Sequence, residues 1–144
     1  MFKKILLPTD GSSTAERAVS VAVDMASRYG AALEVISVID PAPFISLTGG
    51  GGEALAYYLD AAEEGANKGI ASAVAAAQKA GVRSESHVLR IHGPAQSIAG
   101  HAEAKGCDLI VLGSHGRRGL DALLLGSVAQ KVLTLAKVPV LVVK

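Results

Sequence analysis

Leu109-Ile110-Val111-Leu112-Gly113-Ser114-His115-Gly116 is the stretch whose reading decides the fold class. Four apolar residues follow one another without a polar break, then give way at once to Gly-Ser-His-Gly. A strand wetted on one side alternates, whereas a strand covered on both faces reads as a continuous apolar run. Working outward, four more short runs stand out, Phe2–Leu7, Leu33–Ile39, Ser84–Leu89 and Val138–Val143, most of them continuous in Val, Ile and Leu. Helical spacing fills the intervals between them.

The first interval opens with Ser13-Thr14-Ala15-Glu16, a capping-box pattern. It carries Ala15, Val19, Ala22, Ala26 and Tyr29 on one face, and stops at Gly30. The second helix is expected from Glu53 to Ala80, with Leu55, Leu59, Ala62, Ala66, Ile70, Ala73 and Ala77 on one stripe and Gly81 as its stop. Gly65 and Gly69 inside it are expected to permit close approach to the sheet or a mild bend. A third helix starts at Gly93-Pro94 and ends at Lys105-Gly106, and a fourth runs from about Ser127 to Ala136. Strand and helix alternating through five strands specify an α/β fold, a doubly wound parallel sheet with right-handed crossovers and helices on both faces. Pro41 to Gly52, with Pro41, Pro43 and Gly49-Gly50-Gly51-Gly52, reads as a mobile loop inside a single domain spanning 1–144.

Composition bounds the function. The chain has 144 residues, 50% of them hydrophobic but only 3% aromatic, and a formal charge of +1, so the broad basic footprint of a nucleic-acid binder or a membrane-surface protein is missing. Any charged ligand has to be recognised locally. The apolar run after Lys3-Lys4 stops at Pro8-Thr9-Asp10, too short for a signal peptide or a span, and a cytoplasmic protein is expected. The single cysteine, Cys107, allows no intrachain disulfide and reads as a small buried hydrophobe at a strand start.

The segment after the fourth strand, from Gly113 to Val128, has the spacing G-x2-G-x9-G-S through Gly113, Gly116, Gly126 and Ser127. Glycines at a strand end let backbone N–H groups approach an anion. Gly126-Ser127 opens a helix, where unpaired N–H groups and the positive end of the dipole point outward. Ser127 suits either a helix cap or a phosphate contact, and the whole segment also fits a surface loop with glycines for turns and arginines for solubility. Pro8-Thr9-Asp10-Gly11 closes the first strand with a carboxylate at its carboxyl tip. Ligands of doubly wound sheets sit beyond those tips, where strand order reverses. Asp10 there could meet a ribose or help place a divalent cation, or serve only as a turn residue before the first helix.

These residues resemble the universal stress protein family in its ATP-binding branch. The resemblance runs through Pro8-Thr9-Asp10-Gly11-Ser12, Val38-Ile39-Asp40, Gly93-Pro94, Asp108 to Gly116, Gly126-Ser127-Val128 and the closing Val138-Pro139-Val140-Leu141-Val142-Val143. It implies the strand order 3-2-1-4-5, which makes the first and fourth strands neighbours. It further implies that Pro8, Thr9 and Val38 line an adenine pocket, the Val38 backbone meeting the base edge, and that Asp10 meets the ribose or a metal-bridged group. Leu112 and Gly113 would pass beside the sugar, and His115, Gly116, Arg117, Gly126, Ser127 and Val128 would surround the phosphates. Relatives lacking those glycines resemble the branch that does not bind ATP, which places this chain on the binding side. The implied cofactor is ATP, with Mg or Mn as candidate counter-ions and Asp10 as their candidate contact. The family commonly dimerises through its last strand, so a homodimer through Val138–Val143 is expected, acting on a protein partner that the sequence does not name.

Other chemistries lack their residues. There is no G-x4-G-K-[ST] segment, no G-x-G-x-x-G after the first strand and no G-x-S-x-G elbow. His87, His92, His101 and His115 read as scattered, without the close pairing that zinc requires. No carboxylate pair divides into acid and base. A nucleotide-dependent regulator is therefore the leading expectation, ahead of a slow ATPase or nucleotide-transfer enzyme and of a dimeric interaction module that ignores ATP. Valine at Gly113 or Gly126 is expected to abolish binding while leaving the fold largely intact.

Overall fold

The computed structural model describes residues 1–116 and 125–144. Its elements follow in the order β1 (Lys4–Pro8), α1 (Ser13–Tyr29), β2 (Ala32–Ile39), α2 (Ala42–Thr48), α3 (Gly52–Lys79), β3 (Ser84–Arg90), α4 (Pro94–Ala104), β4 (Leu109–Gly113), α5 (Ser127–Leu135) and β5 (Val140–Val143). The strands form one sheet in the order β3-β2-β1-β4-β5, every neighbouring pair parallel, as the alternation and the family resemblance predict.

Two cores flank the sheet because side chains alternate across each strand. Ile5, Leu7, Leu33, Val35, Leu109 and Val111 face α1 and α3, whereas Leu6, Ile36, Ile110 and Leu112 face α4 and α5. Ile5, Leu6 and Leu7 are all fully buried, each worth about 1.5–3 kcal/mol of transfer free energy. That explains why a five-residue strand needs no polar position except at its ends. The alanine-rich helices pack close: Ala18, Ala22 and Ala26 of α1 and Ala73 and Ala77 of α3 are fully buried against the sheet.

Three local expectations need correction. The N-cap of α1 is Ser12, whose hydroxyl accepts from the Ala15 N–H at 3.2 Å; Glu16 closes no capping box and instead accepts from the Ser72 hydroxyl of α3 at 3.0 Å. The segment after β2 is not loop throughout. Seven of its residues form α2, with Asp40 Oδ1 accepting from the Ala42 N–H at 2.9 Å and Phe44 stacked on Tyr58 of α3 at 4.8 Å between ring centres. Seven residues make barely two turns, too few for periodicity to register. Gly49 to Gly52 then all take positive φ, between 71° and 106°, a path closed to ordinary side chains. Third, Gly69 permits close approach not to the sheet but to the β1–α1 turn, since a Cβ there would lie 2.9 Å from the Gly11 nitrogen.

Only the second half of the α3 stripe is buried. Ala66, Gly69, Ile70, Ala73 and Ala77 are covered, whereas Leu55, Leu59 and Ala62 are half-buried and Tyr57 is exposed. The helix outruns the strands it packs on. Cys107 is buried as expected, and burial pushes its thiol up to about 11. Among the described residues no helix is long and apolar enough to cross a membrane.

Candidate functional site

Parallel pairing brings all strand carboxyl ends to one edge of the sheet. There, between β1 and β4, the chain's winding reverses and a cleft of about 640 Å³ opens. Eleven of the twelve residues singled out by the sequence line it: Pro8, Thr9 and Asp10 from the end of β1, Val38 from β2, Leu112 and Gly113 from β4, His115 and Gly116 just beyond, and Gly126, Ser127 and Val128 at the start of α5. The twelfth, Arg117, lies outside the described residues. A second depression, on α3, draws all its walls from that one helix, Asp60, Glu63, Glu64, Asn67, Lys68 and Ala71, and has no opposing surface.

Backbone geometry explains what the cleft offers. In a parallel strand, alternate residues turn both N–H and C=O toward the same neighbour. On β2 the even positions serve β1, as the Thr9 N–H donating to the Ile36 carbonyl at 2.8 Å marks. Pro8 pairs with Ile36, the last register between the two strands, so the backbone of Val38 points the same way with no strand opposite it. One peptide edge is thereby directed into the cleft. Thr9 is held in place: it is buried, and its Oγ1 accepts from the Gly11 N–H at 3.2 Å.

Two helix N-termini converge on the same space. α5 has Gly126 as N-cap and α4 has Gly93, and in neither does a side chain among the described residues cap the first turn. Pro94, Ala95 and Gln96 at the start of α4 and Ser127, Val128 and Ala129 at the start of α5 all line the cleft, which sets the first turns and positive dipole ends of both helices at its wall. Ser127 is the first helical residue and not the cap, so its hydroxyl does not serve the helix as an N-cap would.

The three glycines stand where space for a side chain is tight. None has positive φ. A Cβ on Gly113 would stand 3.1 Å from the Thr14 backbone, on Gly116 2.8 Å from Asp10 Oδ2, and on Gly126 3.0 Å from the Ser114 carbonyl oxygen. This corrects the expectation that valine at Gly113 would spare the fold, because it would press on the first turn of α1. Gly116 meets only the tip of a side chain. Asp10 Oδ1 accepts from the Ser12 N–H at 2.9 Å, which fixes the carboxylate facing Gly116. Ser114 Oγ lies 3.0 Å from His115 Nδ1, and the Gly126 N–H donates to the Ser114 carbonyl at 2.7 Å, tying the start of α5 to the end of β4.

Sequence reasoning missed Asp40, Pro43, Tyr58, Gln96 and Lys131, which also line the cleft. Asp40 is the organiser among them. Its Oδ1 accepts from the Ala42 N–H and its Oδ2 from the Gly93 N–H at 3.2 Å, and His92 Nδ1 lies 3.2 Å away, so one carboxylate joins β2, α2 and α4. Burial pushes its pKa up, but the two backbone donors and His92 outweigh that and hold it below the usual aspartate value. An Asp directly before Pro-x-Pro is the signal that could have exposed it, as an acceptor for the helix start two residues on. Pro43 comes from the segment read as a loop, and Tyr58 from the first half of α3.

An open parallel sheet with uncapped helix ends around a cleft at its switch point defines a doubly wound α/β domain that takes its ligand at the carboxyl edge of the strands. The chain belongs to the universal stress protein family, whose model matches residues 1–144. Universal stress protein MJ0531 of Methanocaldococcus jannaschii is 39% identical over 144 residues, covering 100% of this chain and 83% of that protein. The solved structure of MJ0577 from the same organism superposes with a TM-score of 0.82 at 32% identity, over 100% of this chain and 96% of the other. A universal stress protein from Archaeoglobus fulgidus, solved in complex with dAMP, superposes with a TM-score of 0.71 at 25% identity, over 100% of this chain and 98% of the other.

Proposed function

We propose that the cleft binds an adenine nucleotide, ATP by preference, and that occupancy regulates what a dimer of this chain engages in a stress response. The observation that carries this reading is the convergence of two helix N-termini, uncapped among the described residues, on a cleft bordered by glycines that stand close to their neighbours. Such ends are anion sites. The base would lie against Pro8, Thr9 and Val38, with the Val38 peptide edge supplying the paired donor and acceptor that an adenine rim presents. Asp10 would take the ribose or a cation bridging the phosphates, Mg or Mn. Leu112 and Gly113 would flank the sugar, and His115, Gly116, Arg117, Gly126, Ser127 and Val128 would hold the phosphates. That the Archaeoglobus relative was solved in complex with dAMP supports an adenine nucleotide as the occupant.

The role is to hold a nucleotide more than to turn it over. For the dimer, β5 pairs with β4 on one side only among the described residues, and Leu141 on it is partly exposed, which suits a two-fold pairing of that edge with its copy. The test is to purify the protein without added nucleotide, denature it and identify what is released, then titrate ATP, ADP and AMP by calorimetry. Released or tightly bound ATP at one equivalent per chain is expected. Stoichiometric conversion of ATP to ADP over minutes would move the reading to an enzyme, and an empty protein that binds none of the three would move it to a nucleotide-independent interaction module. A monomeric solution mass at micromolar concentration would refute the dimer.

A further inference from the structure

At the opposite, amino-terminal end of the sheet stands a charge that the nucleotide reading does not use. Glu34 of β2 is fully buried, on the face covered by α4. A lone carboxylate there would be costly, and three groups from three elements meet it. Lys4 of β1 places Nζ 3.0 Å from Oε2, His101 of α4 places Nε2 2.8 Å from Oε1, and His87 of β3 places Nε2 3.1 Å from that same Oε1. The reading of the histidines as scattered is thereby corrected, because pairing of β2 with β3 and packing of α4 over them bring two of the four together at 5.6 Å between ring centres.

Lys4 and His101 already suffice to balance one carboxylate, which leaves His87 unexplained. Its Nε2 is buried and makes no hydrogen bond despite its proximity to Oε1, while the rest of the ring is partly open to solvent. Two imidazole nitrogens and one carboxylate oxygen thus point into one spot, all within 4.8 Å of one another. A tetrahedral ion with bonds of about 2.0–2.2 Å sets its donors about 3.4 Å apart. The separations from Oε1, 2.8 and 3.1 Å, need to widen by about 0.6 and 0.3 Å, and the imidazole nitrogens, within 4.8 Å of each other, need to reach the same spacing, which χ adjustments of the three side chains can supply.

We propose that Glu34, His87 and His101 form a binding site for a divalent first-row metal ion, zinc by preference, with its fourth position filled by water or an incoming ligand from the open side of His87. Two imidazoles and one carboxylate are a donor set for such an ion and a poor one for Mg or Ca, which favour oxygen. Lys4 then acts from outside the coordination sphere: by holding Oε2 it turns Oε1 toward the imidazoles, as the partners of metal-bound carboxylates do. Exposed Glu85, 3.9 Å from Lys4, offsets part of the positive charge.

The experiment uses chelator-treated, nucleotide-free protein titrated with Zn2+ alone and, separately, with Co2+ alone. One equivalent per chain is expected, with the intense visible absorption of four-coordinate cobalt and a rise in Tm on adding zinc. His101→Ala and His87→Gln should each weaken zinc binding by more than about tenfold, and His87→Gln, altering a partly exposed ring, guards against loss through misfolding. Both variants should bind ATP as the parent does, since the cleft lies at the other end of the strands. No uptake by the parent protein would overturn the proposal. So would uptake that both substitutions leave unchanged, which would place the ion elsewhere.

Discussion

Gly116→Ala isolates the cleft more cleanly than any other single change. The added Cβ would lie 2.8 Å from Asp10 Oδ2, where ordinary contact begins at 3.4 Å, so about 0.6 Å of overlap must be relieved. Gly116 has no positive φ and, among the described residues, no other close neighbour but the Asp10 carboxyl carbon at 3.9 Å, so the substitution meets neither backbone strain nor a packed core there. The carboxylate must rotate off its position, at a cost of about 0.5–1.5 kcal/mol for a displaced χ angle, and it loses the orientation that the Ser12 N–H gives it. If that orientation positions ribose or cation, ATP affinity should fall about three- to tenfold, while Tm falls by only about 1–6 °C, leaving the fold intact. Calorimetric titration against ATP, with thermal unfolding in parallel, measures both. A double-mutant cycle sharpens it: with Asp10→Ala in place the clash is gone, so adding Gly116→Ala should cost nothing further. Equal losses from Gly116→Ala with and without Asp10 would refute the reasoning, because the glycine would then be acting on something other than the carboxylate.

Three further outcomes follow from the same geometry. Gly69→Ala should destabilise the fold by about 1–3 kcal/mol in urea unfolding, since its Cβ meets the Gly11 backbone, which cannot step aside as a side chain can. Cys107, with its thiol pushed up to about 11 by burial, should resist alkylation at pH 8 in the native protein and react at once in denaturant. Asp40, held below the ordinary 3.8 by its backbone donors, stabilises the fold above that pH, and the contribution drains away as pH falls through the native value; Asp40→Asn should flatten this acid limb in unfolding measurements from pH 5 downward.

The two ends of the sheet differ for a physical reason. At the carboxyl ends the strands stop at different heights, and loops and helix starts leave N–H groups facing outward, a setting for anions. At the amino end Lys4, Glu34 and His87 lie in adjoining strands under one helix, and their side chains meet each other instead of a ligand-sized space.

The sequence by itself determined the five strands, the four long helices and the parallel winding, and its resemblance to the universal stress protein family indicated which residues gather at the cleft. Those features are local: apolar runs, caps and glycines act within a few residues of themselves, and the alternation of element types dictates parallel strands joined by right-handed crossovers. Only the tertiary structure decided what depends on distance. It showed that the glycines stand where room is tight, that Ser127 is not a cap, and that Asp40 knots three elements together through hydrogen bonds reaching 53 residues along the chain. It also joined Glu34 to His101, 67 residues apart, and to His87 on the next strand. No periodicity reports such a meeting, because it depends on register between strands and on where a crossover helix comes to rest.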